Sequence, residues 1–382
     1  MEKTYNGRVS IIVPVYQGKQ YIPALIQMAE LCQEKTQNQG IIELILSNDD
    51  PHEKIEESLF SDTITIHILN TEINRGIQAA RIRGFEAANG DFVVFLDQDD
   101  ILYPDYIHSQ LSYIGDADAV VCRCIHENQQ FYNADRKFEE VISKDYMMQK
   151  GNPIISAGQV LIRRASIPKV WTENIMKTNC ADDYLLWLCM IAQGAKFALN
   201  QDIIFEHVVN GKNLSLDSRR EISSLDEMCK ILSQNSVFDE QGMKQIMSMR
   251  QFVLSERISL LEKFREMFFV LNKMTVCREA GCPIGKKLQS EGIQRVCIYG
   301  DGYIGKRLAG ELKYCAIETA FFIDRNAQYL TEEIPVYQLE EAPIEVDAVI
   351  ISLVQHYDSV RNELRKKYKT QIYTVQEVLE DV

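Results

Sequence analysis

No stretch of this sequence is long and apolar enough to cross a bilayer: the longest runs, Phe92 to Leu96 and Ala348 to Val354, fall far short of the roughly 20 residues a spanning helix needs. Proline is scarce, at 9 in 382 residues, and no repeat or low-complexity tract interrupts the chain, which excludes collagenous and largely disordered architectures. A basic excess is also lacking. The 41 Lys and Arg stand against 55 Asp and Glu, a net charge of −14 that repels phosphate backbones and argues against a nucleic-acid partner. The ten cysteines are scattered; Cys122 and Cys124 are the one tight pair, and no two pairs have zinc-site spacing. They read as reduced thiols. From Met1 the chain runs through polar residues straight into the strand-like Val9–Val13, so the expectation is a cytoplasmic protein without a leader, touching a membrane only from its surface.

What is present is an ordinary globular composition, 46% hydrophobic and 25% charged, and a length that suggests two or three domains. From residue 8 to about 205, short Val/Ile/Leu runs alternate with amphipathic stretches, the pattern of a mostly parallel sheet covered by helices. The expected strands are Val9–Val13, Leu44–Leu46, Ile64–Leu69, Phe92–Leu96 and Ala119–Cys122. Around residue 215 strand-like runs vanish, and Leu254, Ile258, Leu261, Phe264, Phe268 and Leu271 step by three or four through charged neighbours. This stripe is expected to pack within the chain, with a second copy of the chain as the alternative. From about 291 a second α/β unit begins. The chain is therefore read as an α/β domain over 1–215, a helical connector over 216–290 and a small Rossmann-like α/β domain over 291–382.

The sharpest local signal is Phe92-Val93-Val94-Phe95-Leu96-Asp97-Gln98-Asp99-Asp100, a hydrophobic strand ending in three carboxylates. A strand interior cannot keep unpaired charge, so these acids emerge at the carboxyl edge of the sheet, where open α/β sheets bind ligands. Asp97 and Asp99 point to the same side of an extended chain, and a hard cation such as Mg²⁺ or Mn²⁺ would relieve their repulsion. Taken alone, the cluster reads equally well as an acidic turn capping the helix that starts near Tyr103-Pro104.

Four ordered pieces break that tie: Val9 through Tyr16, Glu43 through Asp50, Asn74-Arg75-Gly76 through Arg81 to the Asp97 cluster, and Asp182-Asp183-Tyr184-Leu185-Leu186-Trp187. Over about residues 8–215 the sequence resembles the family 2 glycosyltransferases, enzymes of the GT-A fold that move a sugar from a nucleotide-diphosphate donor to an acceptor hydroxyl. The resemblance implies that Pro14, Val15, Tyr16, Asn48 and Asp49 line the pocket for the base, uracil being favoured. Asn48 stands where an aspartate is usual, and its amide can still pair with a base edge. Arg81 is implied to lie near the nucleotide, although Ile82 replaces the customary asparagine after it. Asp97-Gln98-Asp99 matches the DXD motif, in which Asp99 binds the metal and Asp97, with Gln98 beside it, helps hold the donor; Asp100 braces the loop or caps the next helix. Asp183 is implied as general base with Asp182 supporting it, and attack opposite the leaving diphosphate inverts the anomeric centre. His207 is either a further metal ligand or an ordinary surface residue, and residues 210–215 after it are expected to close over the donor. Enzymes of this kind commonly build bacterial surface polysaccharide on saccharide or lipid-linked acceptors at the inner face of the membrane.

In the C-terminal unit, Gly300-Asp301-Gly302-Tyr303-Ile304-Gly305 follows a strand and opens a helix, and Asp324 ends the next strand. Backbone N–H groups there could hold a pyrophosphate and Asp324 a ribose hydroxyl; equally, the glycines serve only a tight turn and close packing. This part resembles the Rossmann-like sugar-nucleotide-binding modules attached to bacterial glycan enzymes. Two rival functions follow from the same sequence: a nicotinamide oxidoreductase working through the glycine loop, and a weakened transferase retained for binding.

Overall fold

The computed structural model describes residues 7–36, 40–133, 137–209, 217–281, 284–327 and 333–379. It divides into two compact units, Met1–Ser255 and Glu256–Val382. Residues 210–215, expected above to close over a donor, lie outside the described residues.

The strands of the first unit are, in chain order, β1 (Gly7–Val15), β2 (Gly40–Asn48), β3 (Thr65–Leu69), β4 (Phe92–Phe95), β5 (Ile101–Leu102), β6 (Ala119–His126), β7 (Gln129–Gln130), β8 (Val160–Arg163) and β9 (Phe197–His207). They form one sheet in the order β3-β2-β1-β4-β8-β6-β9-β5, with β7 paired to β6. β1 lies between β2 and β4, parallel to both. Apart from Arg8 every residue of β1 is buried, as expected of a strand covered on both faces. The helix Ile22–Lys35 joins β1 to β2 and buries Ile22, Leu25, Ala29 and Cys32, the apolar positions that recur at helical spacing. The helix Ile77–Ala87 joins β3 to β4 and crosses close to β1: a Cβ on Gly84 would sit 2.4 Å from Cγ2 of Ile12. Only glycine permits that approach, which brings the helix's buried side onto the sheet.

The expectation of a mostly parallel sheet is corrected beyond β4. β8 runs antiparallel to both β4 and β6, and β5 antiparallel to β9. β8 and β5 are four and two residues long, too short to carry a periodic signal, so the reversal is invisible in the sequence pattern.

The second unit has five parallel strands: β10 (Arg295–Tyr299), β11 (Glu318–Ile323), β12 (Val336–Tyr337), β13 (Ala348–Ile351) and β14 (Gln371–Thr374), in the order β12-β11-β10-β13-β14. The winding reverses between β10 and β13, which is the Rossmann-like arrangement. Between the two α/β parts run the helices Ser218–Gln234 and Glu240–Glu279. The first adds Leu225, Met228, Cys229 and Leu232 to the core of the first unit. The second contributes Ile246 and Met249 to that core and Val270, Met274 and Cys277 to the core of the second unit. Of the expected packing stripe, Leu271 packs against the core of the second unit, whereas Ile258, Leu261, Phe264 and Phe268 are 47–63% exposed. Packing within the chain is thus confined to the end of the stripe.

Candidate active site

The hydrogen bond from the Leu96 amide to the Ile12 carbonyl, 2.9 Å, ties the end of β4 to β1, which runs on beside β2 to Val15. The residues that follow, Val15–Tyr16 and Asp97–Asp100, therefore emerge side by side at the carboxyl edge. Gln98 fastens the two segments, accepting from the Tyr16 amide at 3.1 Å and donating to the Tyr16 carbonyl at 3.0 Å. The ring of Tyr16 is 47% exposed beside this clamp, whereas Pro14 and Val15 are buried.

Arg81, on the buried side of Ile77–Ala87, organises the acids. Its Nη2 donates to Oδ1 of Asp97 at 2.5 Å and its Nη1 to Oδ2 of Asp182 at 2.6 Å. The guanidinium is 4% exposed, and its fork geometry lets one cation hold two carboxylates that lie 85 positions apart in the chain. Both Nη groups are thereby committed to protein carboxylates. Arg81 thus bridges two acidic segments at the sheet edge.

Asp182 and Asp183 open the helix Asp182–Ala192, at its positive end. The indole N–H of Trp171 donates to the Asp182 carbonyl at 2.7 Å, and the Trp171 ring packs on Phe95 with centroids 5.3 Å apart. Gln78, three residues before Arg81, donates to the Trp171 carbonyl and accepts from the Met176 amide. These contacts join the start of the helix to the end of β4. Asp183 is half-buried, accepting from the Tyr184 amide at 2.6 Å and from Nδ2 of Asn152 at 3.2 Å. Burial raises its carboxyl pKa, the neighbouring Asp182 carboxylate adds to the rise, and Arg81 opposes it.

Asp100 is fully enclosed and braces the loop, one of the two roles expected for it. It accepts from the Ser156 hydroxyl at 2.6 Å and the Val208 amide at 3.1 Å, and its Oδ1 lies 2.8 Å from Nδ1 of His207. His207 also stacks on His126. A buried carboxylate needs partners, and His207 supplies one. Of the two readings given for His207, the ordinary surface residue does not fit, since its side chain is 12% exposed and its Nδ1 faces Asp100. Asp97 and Asp99, both half-buried at the edge, offer hard oxygen donors. Such a set fits a Mg²⁺-like cation that draws its remaining ligands from substrate phosphates and water.

Asn48 and Asp49, at the end of β2, are both buried. Asn48 faces inward, donating from Nδ2 to the Glu53 carbonyl at 2.8 Å and to Oδ1 of Asn70 at 2.9 Å, while its own Oδ1 accepts from the Asp50 amide. An amide has two N–H donors and both are used, so none remains for a base edge. Asp49 is also buried; its Oδ2 accepts from the amides of Arg75 and Gly76, and its Oδ1 is 3.6 Å from Arg83. Asn152, Ser156 and Trp171 are the participants that sequence reasoning missed. They lie in segments without a motif, and only the folded chain brings them to the site.

In the second unit, Gly300, Gly302, Gly305 and Asp324 do meet at the carboxyl edge of β10. Asp324 accepts from the amides of Asp301 and Asn326. Gly300 has φ +101°, and a Cβ on Gly305 would lie 2.0 Å from the Gly300 carbonyl oxygen, so backbone packing demands both glycines. Gly302 has no such neighbour within 4 Å. The carboxylate of Asp301 is buried at the same turn, 3.7 Å from Nζ of Lys306.

The chain is similar to known glycosyltransferases. The model of the family described as glycosyl transferase family 2 matches residues 10–171. EpsH of Bacillus subtilis (strain 168) is 32% identical over 155 residues, covering 39% of this chain and 42% of that protein. An uncharacterized glycosyltransferase of Haemophilus influenzae is 28% identical over 207 residues, covering 52% and 76%. TuaG of Bacillus subtilis (strain 168), named for teichuronic acid biosynthesis, is 26% identical over 211 residues, covering 53% and 79%. The crystal structure of S. aureus TarS 1-349 in complex with UDP-GlcNAc aligns over 64% of this chain and 71% of that one, with TM-score 0.45 and 15% identity. The chain thus spans less than half the length of EpsH. Residues 10–171, which carry the strand ends, Arg81 and the Asp97 cluster, are thus similar to glycosyl transferase family 2.

Proposed function

We propose that the protein transfers a sugar from a nucleoside-diphosphate donor, a UDP-sugar in the first instance, to an acceptor hydroxyl with inversion at the anomeric carbon. The observation that carries this reading is the Arg81 bridge, which holds Asp97 and Asp182 within one edge site and so sets Asp183 beside the donor-binding acids. Asp183 takes the proton of the acceptor hydroxyl. Its raised pKa makes it a stronger base than an ordinary carboxylate while still deprotonated in a mildly alkaline medium. Asp182 keeps Arg81 in place. Tyr16, exposed beside the Gln98 clamp, offers a ring for the base to stack on. A divalent cation held by Asp99, with Asp97 alongside, would neutralise charge developing on the departing diphosphate. Attack from the side of Asp183, opposite that diphosphate, inverts the centre.

The relatives' names support surface polysaccharide as the setting, TuaG among them. The acceptor is then a saccharide or a lipid-linked saccharide met at the inner face of the membrane. Among the described residues no helix is long and apolar enough to cross a bilayer. The test is calorimetric titration with UDP-, GDP- and dTDP-sugars in Mn²⁺, followed by donor hydrolysis or transfer. Asp99→Ala is expected to weaken donor binding and abolish turnover, and Asp183→Asn to abolish turnover while leaving donor binding intact. Wild-type turnover in both variants, or binding of NAD(H) in place of any nucleoside diphosphate, would overturn the reading.

A further inference from the structure

The helix Glu240–Glu279 carries an apolar face that lies largely outside both cores, with Leu271 at its end packed against the core of the second unit. Leu254, Leu261 and Phe268 recur every seven residues, and Phe264 and Leu271 fall between them at spacings of three and four, with Arg257 completing the same register. This is the heptad arrangement of a seam between two helices. Ile258 and Leu260 widen it on its two sides. Ile258, Leu260, Leu261, Phe264 and Phe268 are all exposed, as is Phe269. Taking about 200 Å² for each phenylalanine side chain and somewhat less for each aliphatic one, these six present about 600 Å² of apolar surface per copy, as large as the largest patch on a typical monomer.

From this face we infer that two copies of the chain pair through it. Joining two such faces removes about 1,200 Å² from water, which reaches the range of a specific interface. Charge selects the occupant. Between residues 254 and 273 four basic side chains stand among three acidic ones, and the whole chain is at −14. A helix that lies on anionic lipid carries a basic polar face, and this one does not. Near-balanced charge, interspersed along the helix, instead suits a partner with the same balance. Register selects the direction. In a parallel pair Arg257 would face its own copy, like charge on like charge; in an antiparallel pair it faces Phe268 of the other copy, cation over ring, and Leu261 faces Phe264. The pair is therefore isologous and antiparallel, with its two-fold axis near Glu262 and Lys263.

Sedimentation or light scattering at tens of micromolar chain is expected to give twice the mass of one chain for the wild type. Phe264→Glu and, separately, Leu261→Lys are expected to give the single-chain mass with unchanged far-UV circular dichroism, since both positions are exposed and leave each core intact. Copies bearing Leu261→Cys mixed with copies bearing Phe264→Cys should cross-link on mild oxidation, whereas Phe268→Cys copies should not cross-link among themselves. A monomeric wild type, a dimer untouched by both substitutions, or self-linking through Phe268→Cys would overturn the inference. So would flotation of a monomer with anionic vesicles that either substitution abolishes. None of these results bears on the transferase reading, whose residues lie elsewhere.

Discussion

Replacing Arg81 by methionine removes the guanidinium that holds Asp97 and Asp182. The side chain of Asp182 is 4% exposed, so without the guanidinium it becomes a buried charge with no compensation, a loss of about 3–5 kcal/mol. Asp97 is 26% exposed and rehydrates, adding little. For a unit of this size each kcal/mol moves the midpoint by about 2–4 °C, so Arg81→Met is expected to lower it by about 6–20 °C. Both tryptophans, Trp171 and Trp187, lie in the first unit, and Trp171 donates to the Asp182 carbonyl, so tryptophan fluorescence follows this unit during heating. The double variant Arg81→Met/Asp182→Asn, which removes the orphaned charge, should recover at least half of the loss. A midpoint within about 2 °C of wild type, or a double variant no better than the single one, would refute the bridge as the element that assembles the site.

Two further outcomes follow from the same structure. Because the Asp183 carboxyl is pushed up to about 7 and must be deprotonated to act as base, kcat should fall tenfold per pH unit below that value and level off above it; a flat profile between pH 5 and 8 in single-turnover assays would remove Asp183 from that role. In the second unit, Gly305→Ala forces a Cβ onto the Gly300 carbonyl and should destabilise that unit by about 1–3 kcal/mol, while Gly302→Ala, with open space around it, should cost below about 1 kcal/mol; equal effects on denaturant unfolding would contradict the packing account.

Much of the fold was legible because periodicity and length suffice for long, strongly patterned elements. β1 stands within two residues, at each end, of the expected Val9–Val13. β8 escaped notice because four residues carry no period, and with it went the mixed direction of the sheet. The acids of the site were legible for another reason. A carboxylate directly after a buried strand, or at the first turn of a helix, has to lie at an element's end, so Asp97, Asp99, Asp182 and Asp183 declared themselves.

What each of them touches did not. Arg81 reads the same in sequence whether or not it reaches a protein carboxylate, Asn48 whether its amide points outward or into the loop, and His207 whether or not its ring meets Asp100. The sequence by itself determined the two α/β layers, their glycine turn and the acids at the sheet edge, because those follow from contacts between near neighbours in the chain. Tertiary structure alone decided the pairing of Arg81 with Asp97 and Asp182, the enclosure of Asp100 by Ser156 and His207, and the exposure of the Phe264 face. Each depends on segments scores of residues apart meeting in space, and no local spacing encodes which of them will meet.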